Sequence, residues 1–345
     1  MAKMMQAYLL EKTGQIDRNS APLVLKSVPI PTPGSGQICI RVSVCGVCHT
    51  ELDEIEGRTP PATFPVIPGH QVVGEVIDKG DKVGFSCGDR VGVAWIYSAC
   101  GTCSLCLSER ENLCSEFLAT GRDRDGGYAE YIVVPAAFAY PIPPAIGDVE
   151  AAPLLCAGAI GYRSLKLTGL ADGEVLGLTG FGASGHIVLK LALGLFPSSK
   201  VLVFARSEAQ QRFACELGAF WAGSTDEAPP LSPNAIIDTT PAWFPVLSSL
   251  KMLAPGGRLV INAIRKEDHD VEVLKGIDYP EHLWLEKEIK SVANITRADV
   301  REFLRLAERL NIRPQVTEYP FSQANQALRD LKFSRATGAR VLVMG

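Results

Sequence analysis

Hydrophobic positions follow three successive patterns along this chain, with changes near residues 157 and 292. In the first region, the segment Ile38–Val44 alternates between apolar and more polar residues, which predicts a half-buried strand. The even-numbered residues form its apolar face, and the opposite face carries Cys39, Arg41 and Ser43. Further short runs, separated by turn residues, are Val72–Ile77, Asp89–Val93 and Tyr128–Val134. Many short strands with few helices predict a barrel-like or irregular, mostly β region.

Between residues 157 and 292, runs of strand length alternate with segments of helical periodicity. The predicted strands are Val175–Thr179, Lys200–Ala205, Ala235–Asp238 and Arg258–Ile261. The predicted helices between them are Ser184–Leu195, Glu208–Leu217 and Val246–Leu253. This alternation predicts a doubly wound parallel sheet, and hence an α/β fold class for the whole chain.

The last region begins with a helix whose predicted N-cap is Thr296. Its apolar residues recur at helical spacing on one face, at Val300, Phe303, Leu304 and Ala307. A strand at Val316–Tyr319, a helix from Ser322 and a strand at Arg340–Val343 follow. The predicted domain organisation is therefore residues 1–156, residues 157–292 and a returning segment, residues 293–345.

Charge and hydropathy exclude several classes of partner. The 345 residues contain 34 Lys and Arg against 38 Asp and Glu, a net charge of -4. This balance argues against nucleic acid or an anionic membrane bound by bulk charge. No apolar run reaches the ~18 residues of a membrane span. The apolar stretch before Glu11 is too short for a signal peptide, so we expect a cytoplasmic protein that acts on small molecules.

Ten cysteines in a reducing compartment favour metal ligation or catalysis over disulfides. Cys100, Cys103, Cys106 and Cys114 have the spacing C-x2-C-x2-C-x7-C, which suits a tetrahedral ion. The alternative is an iron–sulfur cluster, but ferredoxin-type runs place the fourth cysteine three residues on and follow it with proline. We therefore expect a closed, structural zinc site in a lobe spanning residues 96–115.

A glycine-rich turn follows the first strand of the middle region. Gly180, Gly182 and Gly185 form G-x-G-x-x-G between a predicted strand and a predicted helix, as dinucleotide binding requires. The glycines allow the pyrophosphate to approach the helix N-terminus. The alternative is a glycine-rich connection without a ligand.

The next strand, KVLVFARS, lacks the acidic residue that binds a ribose 2′-hydroxyl. Ala205 occupies the expected position, with Arg206 and Ser207 after it, which suits the 2′-phosphate of NADP better than NAD. The alternative is that Arg206 is solvated or stacks on the adenine.

The remaining cysteines and histidines offer a second metal site. Cys45, Cys48 and His49 stand at the end of a strand, His70 follows a turn, and Cys156 lies at the boundary of the first two regions. Spacing alone does not show that these residues meet, and a lone Cys or His is usually a core residue.

Five ordered segments of the chain resemble the zinc-dependent alcohol dehydrogenases of the medium-chain dehydrogenase/reductase superfamily. They are GVCHTEL, PVIPGHQVVGEV, the CGTCSLC lobe with Cys114, LLCAGAIGYRSLK and GFGASGH. The resemblance covers essentially the whole chain and implies a GroES-like catalytic domain interrupted by a Rossmann domain. It also implies a catalytic zinc held by Cys48, His70 and Cys156 with an open fourth position. Cys45 also fits a ligand chemically, although the family motif indicates the second cysteine.

The implied chemistry is reversible hydride transfer between an alcohol and NAD(P). A zinc ion lowers the pKa of the alcohol hydroxyl, and the resulting alkoxide expels a hydride to the nicotinamide. Thr50 matches the residue that begins the proton relay, or else is a turn-forming hydroxyl. His49 and Arg340 resemble residues that approach the cofactor pyrophosphate, although a surface role for Arg340 is the alternative.

Three positions depart from the pattern of many family members. Glu51 replaces an aspartate three residues after the first ligand, and it can still hydrogen-bond a histidine ligand. Gln71 replaces a glutamate after the second ligand, which removes a carboxylate near the zinc. Asp53 stands where some members carry a relay histidine, so protons leave through Asp53 or directly to solvent.

Trp95 resembles an aromatic residue that lines the substrate pocket. With Tyr97 it would narrow the pocket and favour small or slender alcohols; ordinary packing is the alternative. Other readings are a polyol dehydrogenase, an aromatic-aldehyde reductase or a non-catalytic nucleotide-binding protein. The family analogy implies a homodimer or homotetramer.

Overall fold

The computed structural model describes residues 3–334 and 338–345 and divides the chain into two compact units. Unit 1 comprises Met1–Cys156, Ile295–Glu308 and Arg313–Gly345, and unit 2 comprises Ala157–Asn294 and Arg309–Ile312. The first break follows Cys156. Residues 293–294 and 309–312 group with unit 2, and not with the returning segment predicted as residues 293–345.

The first part of unit 1 is mostly β-structure. Its strands are β1 (Met4–Leu10), β2 (Leu23–Pro29), β3 (Gln37–Val47), β4 (Val72–Lys79), β5 (Arg90–Val93), β6 (Ile96–Ser98), β7 (Leu118–Ala119), β8 (Tyr131–Pro135) and β9 (Ala139–Pro141). Its helices are α1 (His49–Ile55), α2 (Ser104–Leu107) and α3 (Asp148–Pro153), each of two turns or fewer. The mostly β architecture predicted for this region is confirmed.

Strand β3 lies inside a seven-stranded sheet and carries the start of the candidate site. It pairs with β4 and β8, and β4 in turn pairs with β5. The prediction that one face of this strand is polar is only partly correct. Arg41 is exposed, but Cys39 is 1% exposed and Cys45 is fully buried. A central strand is covered on both faces, and α3 packs on β3.

Unit 2 is the predicted parallel sheet. Its elements are α4 (Ala159–Thr168), β10 (Val175–Thr179), α5 (Ala183–Leu195), β11 (Lys200–Phe204), α6 (Glu208–Glu216), β12 (Trp221–Gly223), β13 (Ala235–Asp238), α7 (Phe244–Met252), β14 (Arg258–Ile261), α8 (Tyr279–His282) and β15 (Glu288–Ser291). All six strands run parallel, in the order β12-β11-β10-β13-β14-β15. The strand order reverses at β10, where α/β sheets place their ligands at the carboxyl ends.

The returning segment adds α9 (Arg297–Arg309), β16 (Val316–Pro320), α10 (Ala324–Phe333) and β17 (Ala339–Val343). The four apolar residues predicted to share a face of α9 are all buried. The Thr296 hydroxyl accepts from the Asp299 amide (3.1 Å), as predicted for the N-cap. Strand β17 pairs antiparallel with β3, so it returns to the sheet that carries the site.

The longest helices of the described residues, α5 and α9, have 13 residues each. None of the helices in residues 3–334 and 338–345 combines the length and apolarity that crossing a bilayer demands.

Candidate active site

The four cysteines of the lobe converge on one point. The sulfur atoms of Cys100, Cys103, Cys106 and Cys114 all lie within 4.8 Å of one another, and Cys100 Sγ is 3.8 Å from Cys106 Sγ. Helix α2 begins inside the cluster, because Cys103 is its N-cap. Four sulfur donors at this spacing fit a tetrahedral zinc ion and leave no open position.

Backbone amides in the lobe point at the sulfur atoms. The Cys103 amide donates to Cys100 Sγ (3.3 Å), and the Cys106 amide donates to Cys103 Sγ (3.5 Å). The Glu116 amide donates to Cys114 Sγ (3.4 Å). Amide hydrogen bonds from Thr102 and Cys103 are the main reasons that the pKa of Cys100 is lowered to about 6. Donors aimed at sulfur favour thiolates, the form that binds metal.

A second group of donors forms where β3 passes into α1. Cys48 is the N-cap of α1, and its backbone amide donates to Glu51 Oε2 (2.8 Å). The Thr50 amide donates to Cys48 Sγ (3.4 Å), so the cap holds the sulfur at the helix N-terminus. The other Glu51 oxygen, Oε1, lies 2.6 Å from His70 Nδ1. This short contact holds the imidazole ring and leaves Nε2, which is 3.8 Å from Cys48 Sγ, free to act as a ligand.

Cys156 completes the group. It lies in a single π-helical turn, Leu154–Gly158, a local widening that recurs at functional sites. Ligand atoms of Cys48, His70 and Cys156 lie within 4.8 Å of one another, and Cys48 Sγ is 3.8 Å from His70 Nε2. The neighbouring Cys156 thiol and burial raise the pKa of Cys48, because the two sulfur groups lie close together. Two sulfurs and one imidazole fit a zinc ion that keeps one open position.

Cys45 is not a member of either metal-ligand group found among the described residues. Cys45 is buried beside Gly69, which has a φ of +95°. A Cβ at position 69 would lie 2.3 Å from the Tyr128 ring and 2.9 Å from Cys45 Sγ, so this position requires glycine. This turn therefore presents His70 to Cys48 while Cys45 packs behind it.

Helix α1 also carries the predicted relay residues. Thr50 is partly exposed and His49 is exposed, whereas Asp53 is 5% exposed. Asp53 Oδ1 accepts from Arg58 Nε (2.5 Å). His49 and Asp53 are four residues apart and thus share one face of the helix.

The glycine turn in unit 2 joins β10 to α5. Gly180 has a φ of +84°, and a Cβ there would lie 2.7 Å from Thr239 Oγ1. Gly182 is the N-cap of α5, and no side chain caps the helix. The first backbone amides of α5 are therefore available to bind an anion at the carboxyl end of the sheet. Behind the turn, burial lowers the pKa of His186 to about 4, which keeps this imidazole neutral at pH 7.

The predicted NADP-binding residues follow β11. Arg206 is exposed and has no ion pair among the described residues. Ser207 is the N-cap of α6 and accepts from the Gln210 amide (3.3 Å). Arg340, in contrast, is 4% exposed and donates to Ser334 Oγ (2.7 Å) and to the Asp330 carbonyl (3.2 Å). The register of β17 places Arg340 opposite Val47, next to the start of α1.

Trp95 and Tyr97 lie on either side of Ile96, at the edge of the lobe. The Tyr97 hydroxyl is 3.4 Å from Gln37 Nε2, and its ring packs against the main core of unit 1. Trp95 contacts Phe117 and is close to Glu54, a buried residue of α1. Sequence reasoning missed Glu54; the only signal was a charged residue on the face of α1 that also carries Glu51.

Comparisons with known proteins agree with these observations. The family of the alcohol dehydrogenase GroES-like domain matches residues 34–144. The chain is 42% identical over 346 residues to a probable alcohol dehydrogenase, AdhA, of Mycobacterium tuberculosis, with 99% of this chain and 97% of the relative covered. An alcohol dehydrogenase of Geobacillus stearothermophilus is 32% identical over 348 residues, with coverages of 96% and 98%.

A solved structure is also similar over almost the whole chain. The cobalt- and zinc-bound thermostable alcohol dehydrogenase from Pyrobaculum aerophilum has a TM-score of 0.85 and 26% identity, covering 99% of this chain and 100% of that one. The family resemblance inferred from the five motifs is confirmed.

Proposed function

Because this chain belongs to the zinc-type medium-chain alcohol dehydrogenases, we propose that it transfers hydride reversibly between a small primary or secondary alcohol and NADP, in preference to NAD. The product is the corresponding aldehyde or ketone. The observation that carries this proposal is the group formed by Cys48, His70 and Cys156, whose ligand atoms lie within 4.8 Å of one another.

Cys48, His70 and Cys156 would hold the catalytic zinc, and the four lobe cysteines would hold the structural zinc. The catalytic zinc supplies Lewis-acid chemistry toward the substrate oxygen. Glu51 orients the site through both of its oxygens, because Oε1 lies 2.6 Å from His70 Nδ1 and Oε2 accepts from the Cys48 amide. Since one carboxylate contacts both ligand residues, it maintains their separation.

Oxidation removes one proton and one hydride from the alcohol. We assign the hydroxyl proton to Thr50 Oγ1, which stands two residues after the ligand Cys48 at the exposed start of α1. From there the proton leaves to solvent or to Asp53, which lies three residues further along α1 and is paired with Arg58. A bound nicotinamide cofactor would supply the hydride acceptor for this oxidation.

The cofactor is assigned to the glycine turn of unit 2. The uncapped N-terminus of α5, with Gly180, Gly182 and Gly185, would hold the pyrophosphate. Arg206 supports the preference for NADP, because an exposed guanidinium without an ion-pair partner among the described residues is available to a 2′-phosphate. His49, the first residue of α1, is exposed, and we assign it as a pyrophosphate contact. Arg340 is already hydrogen-bonded, so we assign it a positioning role beside His49.

Trp95 supports the preference for small alcohols. Its bulky indole is close to Glu54, which in turn lies near His70, so the ring is near the metal ligands. Tyr97 stays a weaker candidate, because its ring packs against the core. A polyol dehydrogenase or an aromatic-aldehyde reductase is the alternative, and a substrate panel distinguishes them.

Unit 2 supports a homodimer or a homotetramer. Strand β15 is exposed at every residue and forms an edge of the parallel sheet, and exposed edges are sites of strand pairing. Its apolar residue Ile289 is 48% exposed, and Trp284, four residues before the strand, is 55% exposed.

We also assign the protein to the cytoplasm, because both clusters need reduced cysteines.

The test is the substitution Cys48→Ser. It removes one sulfur ligand, so we expect zinc to fall from two equivalents to one per chain and turnover to fall by at least about a thousandfold. NADPH binding, followed by nicotinamide fluorescence, should be nearly unchanged because the glycine turn lies in unit 2.

The matched control is Cys87→Ser, an exposed cysteine of unit 1 outside both clusters. It should keep two zinc ions and full activity. Retention of wild-type turnover in Cys48→Ser would contradict the ligand assignment. A wild-type protein with two zinc ions that binds nucleotide but oxidises no alcohol would favour the non-catalytic alternative.

A further inference from the structure

A second buried carboxyl lies on the helix that begins at the candidate metal site. Glu54, three residues after Glu51 on α1, is 1% exposed. Neither of its carboxyl oxygens makes a hydrogen bond with a residue that the structure describes. Burying a carboxyl without a partner costs free energy, whereas an apolar side chain there would pack at no such cost.

The indole of Trp95 is an unpaired donor beside Glu54. Its Nε1 is buried and has no acceptor within residues 3–334 and 338–345. Burial and Glu51 raise the pKa of Glu54, while His70, Arg122 and the indole N–H of Trp95 lower it. The indole N–H is thus a neighbour of the carboxyl, and both groups are buried without another partner. A hydrogen bond from the indole N–H to the carboxyl would satisfy both groups.

The Trp95 ring also contacts a second ring and a cation. Phe117 packs on it with ring centroids 5.2 Å apart and an interplanar angle of 49°. The Arg122 guanidinium lies 5.3 Å from the ring centroid, and it is fixed in turn by two hydrogen bonds to Asp123 (2.8 and 3.0 Å). The cation, the second ring and the carboxyl thus leave the indole little freedom to rotate.

We propose that Glu54 is a positioning residue that fixes the Trp95 indole and thereby determines the size of alcohol that the enzyme accepts. The inference rests on the proposed function, in which Trp95 lines the alcohol pocket. Glu54 acts through the indole and does not touch the substrate. Its polar group is retained because an apolar residue would leave the indole N–H without an acceptor and the ring free to turn.

The experiment compares Glu54→Leu with Glu54→Gln. The ratio of kcat/KM for benzyl alcohol to that for ethanol is measured, together with zinc content. Leucine removes the acceptor, so we expect the ratio to change by at least about tenfold, the scale of discrimination by pocket shape. Glutamine keeps a carbonyl acceptor of the same length and should restore the ratio to within about twofold. Both variants should retain two zinc ions per chain.

Trp95→Phe keeps a ring but removes the N–H, so it should change the ratio in the same way as Glu54→Leu. Combining the two substitutions should add no further change. Glu111→Gln is the matched control, since Glu111 is also buried, at 2% exposed, but contacts Arg297 on α9; its ratio should equal that of the wild type. If Glu54→Leu does not fold, the other two variants test the proposal. Trp95→Phe should then change the ratio of kcat/KM values, and Glu54→Gln should not.

The proposal is wrong if Glu54→Leu reduces kcat/KM equally for both alcohols or loses zinc. It is also wrong if Trp95→Phe leaves the ratio unchanged or if the double variant is additive. Failure of the proposed function is a separate outcome that the wild-type protein itself would show. The wild type would then oxidise no alcohol or would hold fewer than two zinc ions.

Discussion

Glu51 illustrates how one side chain determines the geometry of a site. Its two oxygens contact the Cys48 amide and His70 Nδ1, and it is fully buried. It therefore acts at once as part of the helix cap and as the partner that selects the ligating nitrogen. An aspartate at this position would be shorter by one methylene, so Glu51 suits the spacing between α1 and His70 in this chain.

At the same scale, Arg206 is the residue that we expect to distinguish the two cofactors. Arg206→Ala removes a charged donor from the carboxyl end of β11. A hydrogen bond to a charged group contributes about 1.5–3 kcal/mol, so kcat/KM for NADP should fall roughly ten- to a hundredfold. The value for NAD should change little.

Arg212→Ala is the matched control, because Arg212 is an exposed arginine of α6 that pairs with Glu208. It should leave both cofactor values unchanged. A wild-type protein that prefers NAD strongly, or an Arg206→Ala variant that loses both cofactors equally, would contradict the assignment.

At the scale of elements, the zinc lobe is stabilised by its ligands more than by its secondary structure. Helix α2 has four residues, and β6 and β7 have three and two. Elements this short do not persist alone. The lobe is also attached to α9, because Glu111 Oε1 accepts from the Arg297 amide (2.8 Å) and guanidinium (3.1 Å).

We therefore expect Cys103→Ser to destabilise the protein more than Cys48→Ser. Loss of the lobe zinc should cost more than about 2 kcal/mol, or roughly 4–8 °C in Tm. Thermal unfolding and zinc content measure both effects, with Cys87→Ser as the unperturbed reference. Equal Tm values for Cys103→Ser and wild type would show that the lobe cysteines hold no structural ion.

At the scale of the whole molecule, the exposed edge of the unit 2 sheet gives a prediction about assembly. Ile289→Lys places a charge on β15 and should prevent edge pairing between two copies, so the mass measured by light scattering should fall toward that of one chain. Leu25→Lys, on β2 and 45% exposed, should leave the mass unchanged. Unchanged mass in Ile289→Lys would exclude this edge as the interface.

Local patterns predicted most of the elements, because periodicity reports which face of a segment is buried. Three unit 2 strands, Val175–Thr179, Ala235–Asp238 and Arg258–Ile261, have the predicted bounds. The predicted Ser184–Leu195 helix begins one residue earlier, and the helix expected from Ser322 begins at Ala324. The polar face expected on β3 was wrong at Cys39, because only the packing of α3 and the neighbouring strands covers that face.

The sequence by itself determined the α/β class, the four-cysteine cluster and the glycine turn, because each depends on residues close together along the chain. Only the tertiary structure brought Cys156 to Cys48 and His70, and excluded Cys45 from that group. The proximity of Glu54 and Trp95 likewise depends on a helix meeting a loop that is distant in sequence. Contacts between residues far apart in sequence follow from how the elements pack, which no local pattern encodes.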